Sequence, residues 1–489
     1  MYKTEFLTAK NNSRTCRING MLMHSAYNPE LEAKKFVDSI QPLTFKPQYV
    51  LLIEPALSYI VPDLKKKYAG AKICAVRFLK DFSQFDSDIS KVFYFSAEKK
   101  ESLEKELSDY FGEDGILYTT FIQWTPSAKI FETETAEVWD TVKKCINFSQ
   151  SILNTKAFFA KRWIKNSFNF IKNIKKAAVI QKGTSDIVIC ASGVSLKDSI
   201  EPLKSIRSSV FLIAVSSALT VLLKNGIKPD LVVSTDGGFW AKMHLKALGR
   251  EKDIPLALSA ESNVFQKTFR ETAIIPLHYP DGTGSVLLKK NGIPCMEAER
   301  NGTVSGTAEK LALSITDGNV YFLGLDLKAG TGLQHSEPNE LEAMNSTTDS
   351  KISTKETRLS KARFSSASLD VYEKWFSSQE KEISKRVFRL SNSFPYKNSL
   401  GTIRDMNFSD LKIAENTRLP KVTEEKISRS GLNFEPESLC RNETFLSECF
   451  PIEWLTLSRT PDENQKKELY KELEKKASEF IKKLTGSKQ

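Results

Sequence analysis

The chain has 489 residues, 40% hydrophobic and 27% charged, a composition that excludes a disordered or fibrous protein and, at roughly 100–200 residues per domain, predicts two to four folded domains. Its 71 basic and 60 acidic side chains leave a net charge of +11, which over this length predicts solvated surface lysines and no nucleic-acid partner. Seven scattered cysteines without a C-x-x-C pair exclude a disulfide framework and a zinc site. With no apolar core at the N-terminus and no apolar run long enough to span a bilayer, they predict a reduced, cytoplasmic protein.

Residues 1–150 carry the strand-like Tyr49-Val-Leu-Leu-Ile53, an apolar helix candidate after Pro55, the strand-like run from Ala71 to Phe78, and a further apolar run at 91–96. This alternation predicts a small N-terminal α/β domain. Its first strand ends in Glu54-Pro55-Ala56, with no glycine to recommend a nucleotide site. Asp86-Ser87-Asp88 matches the D-x-D with which many glycosyltransferases hold a metal, but its polar surroundings read as a surface loop.

Residues 151–182 interleave Lys161, Arg162, Lys165, Lys172, Lys175 and Lys176 with Phe158, Phe159, Trp163, Phe168 and Phe170. At helical spacing this is a basic amphipathic linker helix. Packing its aromatics on a neighbouring domain is favoured over an RNA or membrane surface.

From 183 to 345 the pattern becomes regular. Strands are expected at 186–190, 210–215, 231–234, 254–260, 272–280 and 319–323, separated by short helical stretches such as the one that stops at Asn225-Gly226. Near-continuous apolar strands alternating with helices predict a doubly wound, Rossmann-like parallel sheet. Ligands of such sheets bind beyond the carboxyl ends of the strands. Residues 346–489 are expected to be mainly helical, with a strand near 387–392 that returns to the central sheet.

The small and acidic residues fall at the expected edge. Ser192 and Gly193 allow a tight turn, and Ser195 with Asp198 has capping-box spacing at a helix start, where free N–H groups suit a phosphate. Ser216 follows the second strand, and Asp236-Gly237 the third. An acidic residue there can accept from sugar hydroxyls, bind a metal, or cap its own turn. Ser305, Gly306 and Thr307 open another helix, and the next strand delivers Asp326. His335, one of four histidines, lies in a polar loop; His24, His244 and His278 sit in aromatic, helical or proline-bearing contexts.

In order and spacing, "SGVSLKDSIEPL", "ALTVLLKNGIKPDLVVSTD" and "NGTVSGTAEKLAL…VYFLGLDLKAGTGLQH" resemble the motility-associated factor (Maf) flagellin glycosyltransferases, whose central domain belongs to the DUF115 group. The resemblance covers about residues 20 to 340. It implies transfer of a nonulosonic acid, pseudaminic or legionaminic, from its CMP donor to Ser or Thr of flagellin, on a sialyltransferase-like domain that needs no metal and no cofactor beyond the donor. It places the cytidine monophosphate on Ser192, Gly193 and Ser195 and on Ser305, Gly306 and Thr307. The acceptor hydroxyl needs a general base that titrates near neutrality, which His335 or Asp326 could supply; His335 is favoured for proton transfer and Asp326 for positioning. Where the family favours Gly-x-Gly-Pro-Ser-Leu, this chain has Ala191-Ser-Gly-Val-Ser-Leu196. The family's N-terminal glycine turn is replaced by Ile53-Glu-Pro-Ala-Leu-Ser-Tyr59. Two rival readings are a flagellin-binding chaperone or assembly factor without catalysis, and a pyrophosphoryl transferase like the archaeal 6-hydroxymethylpterin diphosphokinases, which also share the DUF115 resemblance.

Overall fold

A computed structural model describes residues 2–327, 330–364, 367–392, 399–427 and 432–486. The chain divides into two compact units, Met1–Ala160 with Leu446–Glu479 and Lys161–Phe445 with Phe480–Gln489. The C-terminal region is therefore no separate domain, because its parts complete the two units.

In the first unit, strands β1 (Tyr49–Ile53), β2 (Lys72–Arg77), β3 (Lys91–Tyr94) and β4 (Thr119–Gln123) form a parallel sheet in the order β3-β2-β1-β4. Val50 and Leu52 enter one core with Trp124 and Phe131, whereas Leu51 and Ile53 enter another with Phe93 and Phe111. Successive side chains point to opposite faces, and both faces are covered, so the strands read as unbroken apolar runs. The D-x-D carboxylates are engaged locally: Asp86 pairs with the buried Arg77, and Asp88 lies 2.6 Å from Lys65.

The loop after β1 adopts positive φ at Glu54 (40°), Ala56 (48°) and Ser58 (59°), a backbone normally left to glycine. Arg77 holds it in place, donating to Glu54 at 2.8 Å, to the Ala56 carbonyl at 2.7 Å and to Ser58 Oγ at 2.7 Å.

The second unit is built on one large sheet. Its strands are β5 (Lys176–Gln181), β6 (Ile187–Cys190), β7 (Phe211–Val215), β8 (Leu231–Ser234), β9 (Leu256–Ser259), β10 (Ile274–His278), β11 (Met296–Glu297), β12 (Val320–Leu323), β13 (Val387–Leu390), β14 (Arg404–Met406) and β15 (Lys421–Lys426). The order is β14-β13-β12-β6-β7-β8-β9-β10-β5-β15, with β11 beside β10. All pairings are parallel except that of β15 with β5. From β6 the chain steps outward through β7, β8 and β9 to β10, then returns along helix Val304–Ile315 to place β12 on the other side of β6. The sheet thus has its topological switch point between β6 and β12, where open α/β sheets form a crevice.

The expected linker helix is the end of a 42-residue helix, Glu132–Asn173, and Lys176–Gln181, grouped with that linker by its charge, is strand β5. No glycine or proline interrupts residues 132–173, so nothing ends the helix earlier. Phe168 and Phe170 are buried, Phe170 against the ring of Phe269 at 5.4 Å. The region from 346 is helical at Lys355–Lys361, Ala367–Ser377, Pro451–Arg459 and Glu463–Thr485, and it also contributes β13, β14 and β15. Among the described residues no helix is long and apolar enough to cross a membrane.

Candidate functional site

The switch point is built by two glycines. Gly324, just after β12, holds φ at 68°, and a Cβ there would stand 2.5 Å from the Ala191 carbonyl. Gly193, just after β6, donates its N–H to the Gly324 carbonyl at 2.8 Å. The two loops therefore cross at backbone contact, closer than any side chain allows.

That crossing brings Asp326 to the head of the turn after β6. Its carboxylate accepts from the Ser195 N–H at 3.0 Å and from the Ser195 hydroxyl. Ser195 was expected to offer these donors to a phosphate, in a capping box with Asp198. In the structure the segment Val194–Ser199 is a 3₁₀ turn before the short helix Ile200–Ile206, and the cap comes from Asp326, 131 residues away. Pro202, in the first turn of that helix, has no N–H to continue an earlier α-helical start.

On the other side of Gly193 runs a chain of hydroxyls. Ser217 donates to Ser192 Oγ at 2.9 Å, and Ser192 Oγ lies 2.8 Å from His335 Nδ1. Ser336 fixes the loop by donating its N–H to the Ser192 carbonyl at 2.8 Å and its hydroxyl to the Gly193 carbonyl at 2.6 Å. Burial, then the neighbouring His244, pushes the His335 imidazole down to about 4, against an opposing contribution from Ser192. The expectation of a base titrating near neutrality does not hold for His335 here. Ser216 is buried at the start of the turn, and it is the Ser217 hydroxyl that joins the chain.

His244, placed in a helix by the sequence, ends the helix Phe239–His244 and turns its ring toward this group. Its Nδ1 lies 3.0 Å from Glu340 Oε2, and its ring stands edge-on to His335 with centroids 6.5 Å apart. Thr220 donates to the other Glu340 oxygen. Burial raises the Glu340 carboxyl, but the hydrogen bonds from His244 and Thr220 outweigh it and hold the group below its ordinary value. The Trp240 ring lies 6.3 Å from the histidine ring, and the 60%-exposed Phe239 stands edge-on to Trp240. The other two histidines are buried, His24 accepting from the Leu57 N–H.

Asp236 is exposed and accepts from the Gly238 N–H at 2.9 Å, so of its open roles the structure displays the cap of its own turn. Gly237 is needed for packing: a Cβ would meet the Glu261 carbonyl and Trp163 at 2.9 Å. Asn166 clamps the same two loops, donating to the carbonyls of Gly237 at 3.2 Å and Glu261 at 2.8 Å. The basic-aromatic motif around Trp163 thus supports the sheet edge.

Ser305, Gly306 and Thr307 form the first turn of the 12-residue helix Val304–Ile315, with Gly306 pressed against the Asn301 side chain. Asn301 Oδ1 accepts from the Thr303 N–H at 3.2 Å, and its buried Nδ2 has no partner among the described residues. Burial, with the Glu261 carboxylate, pushes the Tyr279 hydroxyl up to about 12 despite hydrogen bonds with Ser259 and Thr307. Ser259 ends β9, three strands from β6, roughly 14 Å at ~4.8 Å per strand. The two small-residue turns therefore lie on one sheet edge as separate groups, with no shared hydrogen-bond partner among those described. Sequence reasoning missed Ser217, Thr220, His244 and Glu340. Only Ser217, beside Ser216, carried a local signal.

Residues 161–332 match the family model described as 6-hydroxymethylpterin diphosphokinase MptE-like. An uncharacterized protein of Treponema pallidum (strain Nichols) is 27% identical over 345 residues, 69% of this chain and 76% of that protein. Among solved structures, a Maf glycosyltransferase from Magnetospirillum magneticum AMB-1 aligns over 99% of this chain and 91% of its own, with a TM-score of 0.57 and 12% identity. The chain therefore shares the fold of a Maf glycosyltransferase across nearly its whole length, and the segment that carries the switch point is similar to the MptE-like family.

Proposed function

We propose that this protein is a cytoplasmic glycosyltransferase that moves a nonulosonic acid, pseudaminic or legionaminic, from a CMP donor to Ser or Thr hydroxyls of flagellin. The observation that carries the reading is the convergence at the β6–β12 switch point: Ser192, Gly193 and Asp326 meet there beside two partly exposed imidazoles. The Maf-like fold of the whole chain supports it. The first turn of helix Val304–Ile315, with the unpartnered Asn301 Nδ2, supplies a second donor group on the same edge. A CMP donor leaves as a single phosphate, whose growing charge such donors stabilise without a divalent ion. In this reading Asp326 positions the turn that receives the nucleotide, and His244, His335 and the Ser192 hydroxyl face the reacting atoms.

Intact-mass spectrometry of flagellin from cells with and without the gene tests this. The reading requires repeated mass increments of nonulosonic-acid size that vanish with the gene. Unchanged flagellin mass, together with saturable binding of unmodified flagellin, selects the chaperone reading instead. The MptE-like match at residues 161–332 keeps one further alternative, pyrophosphoryl transfer from ATP to a hydroxymethylpterin. Formation of AMP from ATP only when the pterin is present would establish it.

A further inference from the structure

The hydrogen bonds around the two imidazoles fix different protons on them. Glu340 is held below its ordinary pKa and, as a carboxylate, only accepts. His244 Nδ1 must therefore donate across the 3.0 Å to Glu340 Oε2, which leaves the lone pair of His244 on Nε2. At His335 the order is reversed. Ser192 Oγ accepts from Ser217 and lies 2.8 Å from His335 Nδ1; with the Ser192 proton turned to that nitrogen, the His335 proton lies on Nε2. One ring is then a base backed by a carboxylate, the other a neutral N–H donor. They stand 6.5 Å apart, and the His244 side chain keeps 13% of its surface open to solvent.

Resting on the glycosyltransferase reading, we infer that His244, oriented by Glu340, is the general base that takes the acceptor hydroxyl's proton, and that neutral His335 donates a hydrogen bond from its Nε2–H to the departing phosphate without giving up the proton. The acceptor O–H proton passes to His244 Nε2 as the oxygen bonds to the anomeric carbon. The bond from that carbon to the phosphate oxygen breaks, and CMP leaves with the electron pair. The proton then passes from His244 to solvent. Glu340 acts through His244 and is a positioning residue. It has the geometry of a carboxylate–histidine pair, in which the acid fixes the tautomer and stabilises the imidazolium that forms. The pKa of about 4 at His335 suits a group that stays neutral and donates, and ill suits a base working at neutral pH.

The test uses the full-length protein, CMP-pseudaminic and CMP-legionaminic acids as donors, and unglycosylated flagellin as acceptor. His244→Gln should lower kcat by roughly 10²- to 10⁴-fold while KM for the donor and the affinity for CMP stay within about threefold. Imidazole added to His244→Ala should restore part of the lost rate. Glu340→Gln should lower kcat, and Glu340→Asp should recover part of it. His335→Gln should slow donor cleavage in the absence of acceptor as well, because the phosphate departs in that step whichever nucleophile follows. A His244→Gln enzyme with wild-type kcat overturns the inference. So does parallel loss of kcat and CMP binding without imidazole rescue, which marks the pair as purely structural. Wild-type protein that transfers neither sugar overturns the underlying reading itself, and that outcome is visible before any variant is made.

Discussion

Gly193→Ala probes the switch point most directly. An ideal Cβ on residue 193 would lie 2.5 Å from both Asp326 Oδ2 and the Gly324 carbonyl, and separations under 3.0 Å are essentially never seen, so the loops must open by at least 0.5 Å. The Gly324 carbonyl is tied by the Gly193 N–H at 2.8 Å and anchored by the β6–β12 ladder, so it has no room to retreat. Asp326 moves only by leaving Ser195. Losing one charge-assisted hydrogen bond costs about 1.5–3 kcal/mol, and overpacking about 1–3 kcal/mol. These overlap, so the expected loss is roughly 2–4 kcal/mol, or roughly 3–6 °C in Tm for a unit of this size. Thermal scanning with and without CMP reads both consequences: a lower Tm, and a smaller CMP-dependent rise. Gly226→Ala is the control. Its φ is 73° with nothing within 4 Å, so it should lose only about 1 kcal/mol and keep the full response to CMP. Equal melting of Gly193→Ala and wild type would refute the close crossing of the two loops.

His335 has a folded pKa of about 4, below the unfolded value of ~6.5. Its contribution to stability is therefore present above pH ~6.5 and lost as the pH falls toward 4. With an allowance for partial exposure, wild type should lose about 2 kcal/mol more than His335→Gln between pH 7 and 4.5 in urea titrations; identical pH slopes would contradict this. Glu309 gives the opposite sign. It is fully buried with neither carboxyl oxygen partnered among the described residues, and burial pushes it up to about 8, so its neutral form is stable at low pH and its contribution fades as the pH rises from ~4.5 to 8. Glu309→Gln should match wild type near pH 4.5 and exceed it by about 3 kcal/mol near pH 8.5; a constant difference across that range would argue against an unpartnered acid. In the first unit, Arg77→Met leaves Glu54 buried beside an apolar side chain and should cost about 3–5 kcal/mol, part of it recovered by adding Glu54→Gln. A loss under about 1 kcal/mol would mean that the pair does not hold the loop.

The central sheet was legible because its strands are buried on both faces and therefore read as short apolar runs ending in Ser, Gly or Asp. β6, β7, β8 and β12 fall where those runs place them. The edge strands were not. β15 is Lys-Val-Thr-Glu-Glu-Lys, a charged sequence that pairs with β5 through its backbone ladder and the Lys176–Glu424 ion pair, and protects an otherwise open sheet edge. β14 is equally polar. The site was legible only in part, for a different reason. Backbone turns leave local signatures, whereas the pairs that set protonation join residues far apart: Ser192 with His335 across 143 positions, and His244 with Glu340 across 96. The periodicity of one strand or helix says nothing about either pair. His244 in particular looks like an ordinary residue at the end of a short helix.

The two units show that a switch point is decided by what fills it. In the first unit β2 and β3 step away from β1 on one side and β4 lies on the other, so the loop Glu54–Ser58 occupies the same topological position as Ala191–Ser195 in the second. There the crevice is closed from within: three non-glycine residues hold a glycine-like backbone, and the fully buried Arg77 satisfies Glu54, Ala56 and Ser58 at once. In the second unit a charged group drawn into the turn is Asp326, which accepts from Ser195. Beside it stand hydroxyls and two partly exposed imidazoles, one of them backed by Glu340, and the hydroxyls exchange partners at little cost when a ligand arrives. A buried ion pair cannot do so, since separating it leaves a charge uncompensated. The same chain geometry is thus locked in the first unit and open to chemistry in the second.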